Sequence, residues 1–159
     1  MAMSLATQEL YGPDMEVAPE IFERYFSPWS AHAIEVDHVV YPTVEHAYHC
    51  KRYLHYPAVA EKIRTARSPQ LAWELSRQYK DKQPVLFPTY KVATMHYLCK
   101  FKLDQHADVR QALVDSGYLE IVKHIVTGPP SDGFWDAGPD GAGQNKAGKI
   151  WMRLRKGIV

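Results

Sequence analysis

Apolar residues recur along most of this chain at the three- and four-residue spacing of amphipathic helices. Behind Thr43, a good helix cap, Val44, Ala47 and Tyr48 follow this spacing and predict a helix from residue 43 to about 54. The same signals predict further helices near residues 57–66, 69–79, 89–103 and 107–116, and a last helix that begins near Lys146.

Only one short stretch alternates apolar and polar residues as strands do. Residues 34–36 and 39–41 flank Asp37-His38 and predict a β-hairpin, while residues 119–126 are compatible with a strand or a helix. Together these elements predict a mainly α (α+β) fold, in which residues 21–159 form a compact single domain of about six helices with a small N-terminal β-hairpin. Residues 1–20 mix polar side chains with Gly and Pro and predict a loosely ordered N-terminal tail.

The composition of the chain narrows the class of protein. Hydrophobic residues make up 46% of the 159 positions and charged residues 23%, and the formal net charge is +1. No overall field therefore attracts nucleic acid or an anionic membrane, so a nucleic-acid substrate would need a local site. Two cysteines favour a reducing compartment, and no apolar run is long enough to span a membrane. These features predict a cytoplasmic protein.

The helix after Thr43 carries a candidate chemical site. Glu45, His49, Arg52 and Tyr56 are spaced at i, i+4, i+7 and i+11, which places them on one face. One interpretation is a solvated face with an i,i+4 pair, and the other is an acid/base and phosphate-contacting wall. His46 lies three residues before His49, but no standard zinc spacing is present, so we predict neither a metal nor a cofactor.

A glycine-rich loop from Phe134 to Lys149 is the second candidate, since it leads directly into the last predicted helix. Glycines allow close backbone approach, and the unpaired N–H groups of a helix start attract anions, so the loop predicts a phosphate site beside an aromatic wall. The alternative is a surface turn that only feeds the helix. Neither a P-loop nor a Rossmann fingerprint is present. Trp135 and Phe134 are interpreted either as core anchors or as base-stacking groups.

These residues resemble the NADAR (YbiA-like) family from about residue 25 to 156. The resemblance rests on Phe26-Ser27, on the block Tyr41-Pro42-Thr43-Val44-Glu45-His46-Ala47-Tyr48, and on Phe134-Trp135 with Gly138, Asp140-Gly141, Gly143, Asn145, Gly148, Met152 and Arg155. It implies a largely helical domain that cleaves N-glycosidic bonds to a 5′-phosphorylated ribose. The implied substrates are riboflavin-pathway phosphoribosylamino-pyrimidines and ADP-ribosylated guanine, free or within nucleic acid.

The resemblance also implies roles for individual residues. Glu45 matches the family's motif glutamate and is expected to do acid/base work, with Arg52 and Asn145 as the other catalytic candidates. The expected substrate-binding residues are Phe26, Ser27, Tyr48, His49, Phe87, Trp135, Asp136, Gly141, Gly143 and Lys146, with backbone N–H groups near the two glycines holding phosphate.

Several positions depart from the family pattern. It usually has Gln and Lys where this chain has His49 and Arg52, Asn where it has Pro28, Gly where it has Asp136, and a tryptophan before Met95 where it has Phe87. A lysine nucleophile could not be replaced by arginine, whose guanidinium stays protonated. A non-catalytic module that binds ADP-ribose-like nucleotides therefore stands as the alternative to an enzyme.

Overall fold

The computed structural model describes residues 15–125 and 131–158. These residues form seven α-helices and one two-stranded antiparallel sheet. In chain order they are α1 (Pro19–Ile21), β1 (Ile34–Val36), β2 (Val39–Tyr41), α2 (Val44–Arg52), α3 (Pro57–Arg64), α4 (Pro69–Gln78), α5 (Phe87–Gln105), α6 (Ala107–Asp115) and α7 (Lys146–Lys156). The predicted mainly helical fold with a small hairpin is confirmed.

The chain divides into two compact units. One unit holds Pro28–Gln105, and the other holds the described residues before and after that range. The single domain predicted over residues 21–159 stays a prediction.

Helix α2 is the centre of the Pro28–Gln105 unit, where it packs against α3, α4 and α5. All its residues from Val44 to Cys50 are buried. Thr43 caps it as predicted, because its Oγ1 accepts a hydrogen bond of 3.2 Å from the His46 backbone N–H. The interpretation of a solvated face is wrong for Glu45 and His49, which are 7% and 3% exposed.

The hairpin forms with the predicted two-residue turn. Ile34 pairs with Tyr41 and Val36 with Val39, so Asp37 and His38 alone connect the strands. Both have positive φ angles, 52° and 66°, as the mirror-image turn that matches strand twist requires. His38 tolerates this conformation less readily than glycine would.

The helices of this unit begin near the predicted residues. Pro57 and Pro69 start α3 and α4, and Ser68 Oγ accepts a 3.0 Å hydrogen bond from Leu71 N–H. Helix α5 begins at Phe87, two residues earlier than predicted. Pro88 fits there because a first helical turn needs no N–H from it.

The other unit is built around Trp151 of α7. After α1 the chain continues as a π-helical turn, Phe22–Phe26, which packs against α6. Phe26 is fully buried with its ring 5.1 Å from that of Trp151, whose Nε1 donates to the Phe26 carbonyl at 2.9 Å. Helix α6 ends near Gly117, whose φ of +55° stops it as predicted.

Residues 119–125 form neither the strand nor the helix that the sequence allowed, and residue 126 lies outside the described residues. Their ladder pairing is limited to one parallel bridge between Glu120 and Glu16. Distant side chains and backbone groups satisfy this backbone instead: Arg155 donates to the Leu119 carbonyl at 2.8 Å, and the Ala137 N–H donates to Lys123 O at 2.9 Å. Most of the predicted tail, residues 1–14, also lies outside the described residues, whereas Val17 is buried and donates to Glu120 O at 2.9 Å.

Candidate functional site

A buried carboxylate–imidazole pair lies on α2. Nε2 of His49 is 2.7 Å from Oε1 of Glu45, one helical turn earlier, and the two side chains are 4% and 9% exposed. Glu45 is also fixed through its backbone, since its N–H donates to Pro28 O at 2.9 Å. Within the described part of the chain, Nδ1 of His49 is buried and has no hydrogen-bond partner. Such an atom is expected to serve a ligand or a reaction, because orphaned buried polar atoms are rare.

His46 lies on the same helix and shows what a structural histidine looks like here. Its Nε2 donates to the Ala66 carbonyl at 2.9 Å, and its Nδ1 is 2.8 Å from Thr43 Oγ1. Burial lowers the pKa of this ring below its ordinary value, which favours the neutral form. Because both ring nitrogens are already bonded within the protein, His46 cannot also ligate a metal, and the metal alternative built on His46 and His49 loses a ligand.

Arg52, one turn beyond His49, has the second unpaired atom. Its guanidinium lies 4.7 Å from the centre of the Phe87 ring and 5.4 Å from that of Tyr48. Among the described residues its buried Nε has no hydrogen-bond partner. A planar cation on two aromatic rings with an unused N–H is suited to bind an anionic or hydroxylated ligand.

Neighbouring groups restrict the chemistry that this face can do. Burial raises the pKa of the Tyr48 hydroxyl to about 12, so the phenol stays protonated. Burial likewise raises the pKa of the Cys50 thiol to about 12, and that of Cys99 to about 12. Both cysteines are unpaired and buried, and neither forms the thiolate that a cysteine nucleophile needs. The face offers proton transfer and anion binding rather than thiol chemistry.

The glycine loop uses its own backbone donors. The seven consecutive N–H groups from Gly141 to Ala147 all donate within the loop and its helix start. Gly143 N–H donates to Ala137 O at 2.6 Å, and Lys146 and Ala147 donate to the carbonyls of Phe134 and Trp135, both at 3.1 Å. The donors of the predicted phosphate cradle are thus bonded within the loop, and phosphate binding by these N–H groups stays a prediction.

Three aspartates give the loop its shape. Oδ1 of Asp132, Asp136 and Asp140 each accepts from the backbone N–H two residues later, at 3.0, 2.8 and 3.0 Å. Asp136 also accepts a hydrogen bond from the Ser131 hydroxyl. This structural use of the carboxylates was not predicted, although the repeated spacing of four residues is a signal for consecutive Asx turns.

Gly143 and Gly141 contribute differently. A Cβ on Gly143 would lie 2.5 Å from Asp136 O, so the loop can close only around a glycine. Gly141 has a φ of +79° and open space around it. Substrate contact by either residue stays a prediction.

Asn145 ties the loop to residues 121–123. Its Nδ2 donates to Ile121 O at 3.0 Å, and its Oδ1 accepts from Lys123 N–H at 2.9 Å. The residue is left-handed, with φ 49° and ψ 44°. Gly148 leaves space for this contact, since a Cβ there would lie 1.9 Å from Ile121 O and 2.5 Å from Asn145 Nδ2. Asn145 thus has a structural function that was not predicted from the sequence.

The remaining predicted residues fall into two groups. Phe26 and Ser27 are buried, and the Phe26 ring contacts Phe22 and Trp151. Trp135 is partly exposed, with its ring perpendicular to that of Phe134 at 4.9 Å, and Lys146 is also partly exposed. Phe87 is buried beneath Arg52 and contacts Tyr48. The structure thus brings Glu45, Tyr48, His49, Arg52 and Phe87 together in one unit. Direct substrate contact by any of these residues stays a prediction.

Over the described ranges, none of the helices has the length and apolar character needed to cross a bilayer.

Comparison with known proteins agrees with the motifs. The chain is 29% identical to N-glycosidase YbiA of Escherichia coli over 134 residues, covering 84% of this chain and 81% of that protein. It is 30% identical to an N-glycosidase of Nostoc punctiforme, covering 84% of each. A riboflavin biosynthesis protein of Vibrio vulnificus is 28% identical, over 78% of this chain and 32% of that longer protein.

The fold matches as well. The solution structure of E. coli YbiA superposes with a TM-score of 0.73 at 28% identity, covering 84% of this chain and 76% of that one. The NADAR domain profile matches residues 18–159. Fold, motifs and profile agree, and the chain belongs to the NADAR family.

Proposed function

We propose that this protein is an N-glycosidase that hydrolyses the bond between a 5′-phosphorylated ribose, as in ribose phosphate or ADP-ribose, and the amino group of a heterocycle. The observation that carries the proposal is the buried Glu45–His49 pair, in which His49 Nδ1 has no hydrogen-bond partner within the described ranges, one helical turn before Arg52. Relatives named as N-glycosidases support it.

The reaction needs two kinds of assistance. Water adds to the anomeric carbon while the C–N bond breaks, so a proton must leave the water and another must reach the departing nitrogen. The anomeric carbon also gains oxocarbenium character, which a nearby carboxylate stabilises. In this proposal Glu45 and His49 supply the proton transfer and the negative charge.

Substrate binding is assigned to Arg52, whose buried Nε has no hydrogen-bond partner among the described residues. Arg52 binds the phosphate or a ribose hydroxyl through its buried Nε, while the rings of Tyr48 and Phe87 contact its guanidinium. The stacking role expected of Trp135 stays a prediction.

A product screen tests the proposal. ADP-ribosylated guanosine and riboflavin-pathway ribosylamines are incubated side by side with the wild type and with Glu45→Gln, and free base and ribose phosphate or ADP-ribose are quantified. We expect release by the wild type and a rate about 10³-fold lower for Glu45→Gln, the usual size of an acid/base contribution. No product from any substrate, or full activity of Glu45→Gln, would overturn the proposal.

A binding-only function is the second candidate, and Arg52 favours it. The family pattern usually has lysine at this position, and arginine cannot act as a nucleophile. Calorimetry with ADP-ribose and with an intact ADP-ribosylated guanosine, followed by mass spectrometry of each sample, separates the two functions. Binding with the glycosidic bond intact would support the module, and turnover would exclude it.

A further inference from the structure

We infer that His49 is the group that moves the proton in the proposed hydrolysis, and that Glu45 acts on the reaction through His49. The inference rests on the proposed function and assigns the step to one atom, Nδ1 of His49. This residue departs from the family pattern, whose glutamine cannot transfer a proton, so the inference concerns this chain.

The hydrogen bond between the two side chains fixes which ring nitrogen is available. A carboxylate accepts and does not donate, so the proton in the 2.7 Å contact belongs to His49 Nε2. A neutral imidazole has one N–H, which leaves the lone pair on Nδ1. That is the atom without a partner among the described residues. The bond therefore aims a base, held in one tautomer, away from Glu45.

The contrast with His46 shows that this arrangement is not a general property of buried histidines on α2. The two residues are 1% and 3% exposed, one helical turn apart. Both nitrogens of His46 are bonded within the protein, to Thr43 and Ala66. Among the described residues, one nitrogen of His49 has a partner, a carboxylate able to stabilise a positive ring, and the other has none.

The proposed cycle balances without any group other than water and substrate. Nδ1 takes a proton from water as the water oxygen bonds to the anomeric carbon, and the imidazolium that forms is paired with the Glu45 carboxylate. The C–N bond breaks with its electron pair going to nitrogen. Nδ1–H then donates its proton to that nitrogen, which regenerates neutral His49 and releases the amine and the ribose hydroxyl.

The first test compares the same substitution at two histidines. His49→Gln keeps a donor for Glu45 and removes the titratable nitrogen, while His46→Gln is the matched control on the same helix. We expect kcat of His49→Gln to fall about 10²- to 10³-fold with KM nearly unchanged, whereas folded His46→Gln keeps the wild-type kcat. An active wild type together with an unchanged kcat for His49→Gln would overturn the inference and leave the proposed function standing.

Rescue by added base separates proton transfer from packing. His49→Ala is assayed with imidazoles of graded basicity, and we expect the restored rate to rise with the basicity of the added imidazole. A restored rate that is independent of the basicity of the added imidazole would overturn the inference, because filling the space of the missing side chain does not depend on proton affinity.

A measurement on the wild type covers the case in which His49 variants do not fold. Long-range proton–nitrogen spectra of histidine-labelled protein, assigned with His46→Gln, report the tautomer directly. We expect a bare Nδ1 and a protonated Nε2 at His49, and the opposite neutral tautomer would overturn the inference. A wild type that releases no product would remove the proposed function, and the inference with it.

Discussion

The glycine loop from Phe134 to Lys149 and the polar face of α2 both carry acidic and hydrogen-bonding groups. They use these groups in opposite ways. In the loop, Asp136 and Asn145 bond to the loop itself and to residues 121–123. On α2, Nδ1 of His49 and Nε of Arg52 are buried without a partner in the described ranges.

This difference separates stability from function. A polar group bonded within the protein contributes to folding, and its loss lowers the free energy of unfolding. A buried polar group left unpaired opposes folding, and such groups persist mainly where a ligand or a reaction uses them. Substitutions in the loop are therefore expected to reduce stability, and those on α2 are expected to reduce activity.

The largest stability effect is expected for Gly148→Ala. The new Cβ would lie 1.9 Å from Ile121 O and 2.5 Å from Asn145 Nδ2, so the contact between α7 and residues 121–123 must shift. We expect the free energy of unfolding to fall by about 3 kcal/mol, as in overpacked interiors. Chemical denaturation measures it, with Gly141→Ala as a control that meets open space and costs about 1 kcal/mol through its positive φ. Equal losses would contradict the packing argument.

Asn145→Ala is expected to have the next largest effect. It removes two hydrogen bonds, to Ile121 O and from Lys123 N–H, each contributing about 1 kcal/mol, so unfolding becomes easier by about 2 kcal/mol. Denaturation gives the stability, and kcat of the folded protein tests the catalytic role expected from the family. A loss of kcat as large as that of Glu45→Gln would assign Asn145 to the reaction and break the comparison.

Arg52→Lys tests whether the polar face of α2 binds substrate. Lysine keeps the charge but lacks the Nε–H and the planar guanidinium that contacts the Phe87 and Tyr48 rings. We expect KM to rise about tenfold, equivalent to about 1.4 kcal/mol, with the unfolding transition unchanged. Steady-state kinetics and thermal melting check both statements. A raised kcat would instead show that a lysine at this position takes part in the reaction.

The smallest effect concerns pH and His46. Because burial lowers the folded-state pKa of His46 below 6.5, the unfolded chain binds a proton that the folded protein excludes. The free energy of unfolding therefore falls as the pH is lowered from about 6.5 toward the folded-state pKa of His46. Denaturation across this range measures the slope, which His46→Gln should reduce. A slope that the variant leaves intact would place the titrating group elsewhere.

Local signals made the secondary structure predictable. Thr43, Ser68, Pro57 and Pro69 act within one helical turn, and the Asp37-His38 turn is fixed by two residues. Residues 119–125 could not be predicted, because their backbone groups bond to the side chains of Asn145 and Arg155, more than 20 positions away, and to the backbone of Met15, Val17 and Ala137. No local periodicity encodes such a partner.

The residues of the candidate site could be predicted from the sequence. Their burial and their hydrogen bonding could not. The spacing of Glu45, His49 and Arg52 gave one helix face, and the structure adds that the first two are buried and paired. Helix spacing cannot distinguish a buried face from a solvated one. In the loop, glycines and aspartates that suggest a ligand cradle also suit a self-bonded turn, because both need the same backbone freedom.

The two buried thiols can report the rate at which the folded protein opens. Cys50 and Cys99 both belong to the Pro28–Gln105 unit, and with pKa values near 12 neither reacts while it is folded. Under native conditions, the rate at which a thiol reagent modifies them reports how often that unit opens. Mass spectrometry of unlabelled, singly and doubly labelled molecules would show whether α2 and α5 become accessible in one event or in separate ones.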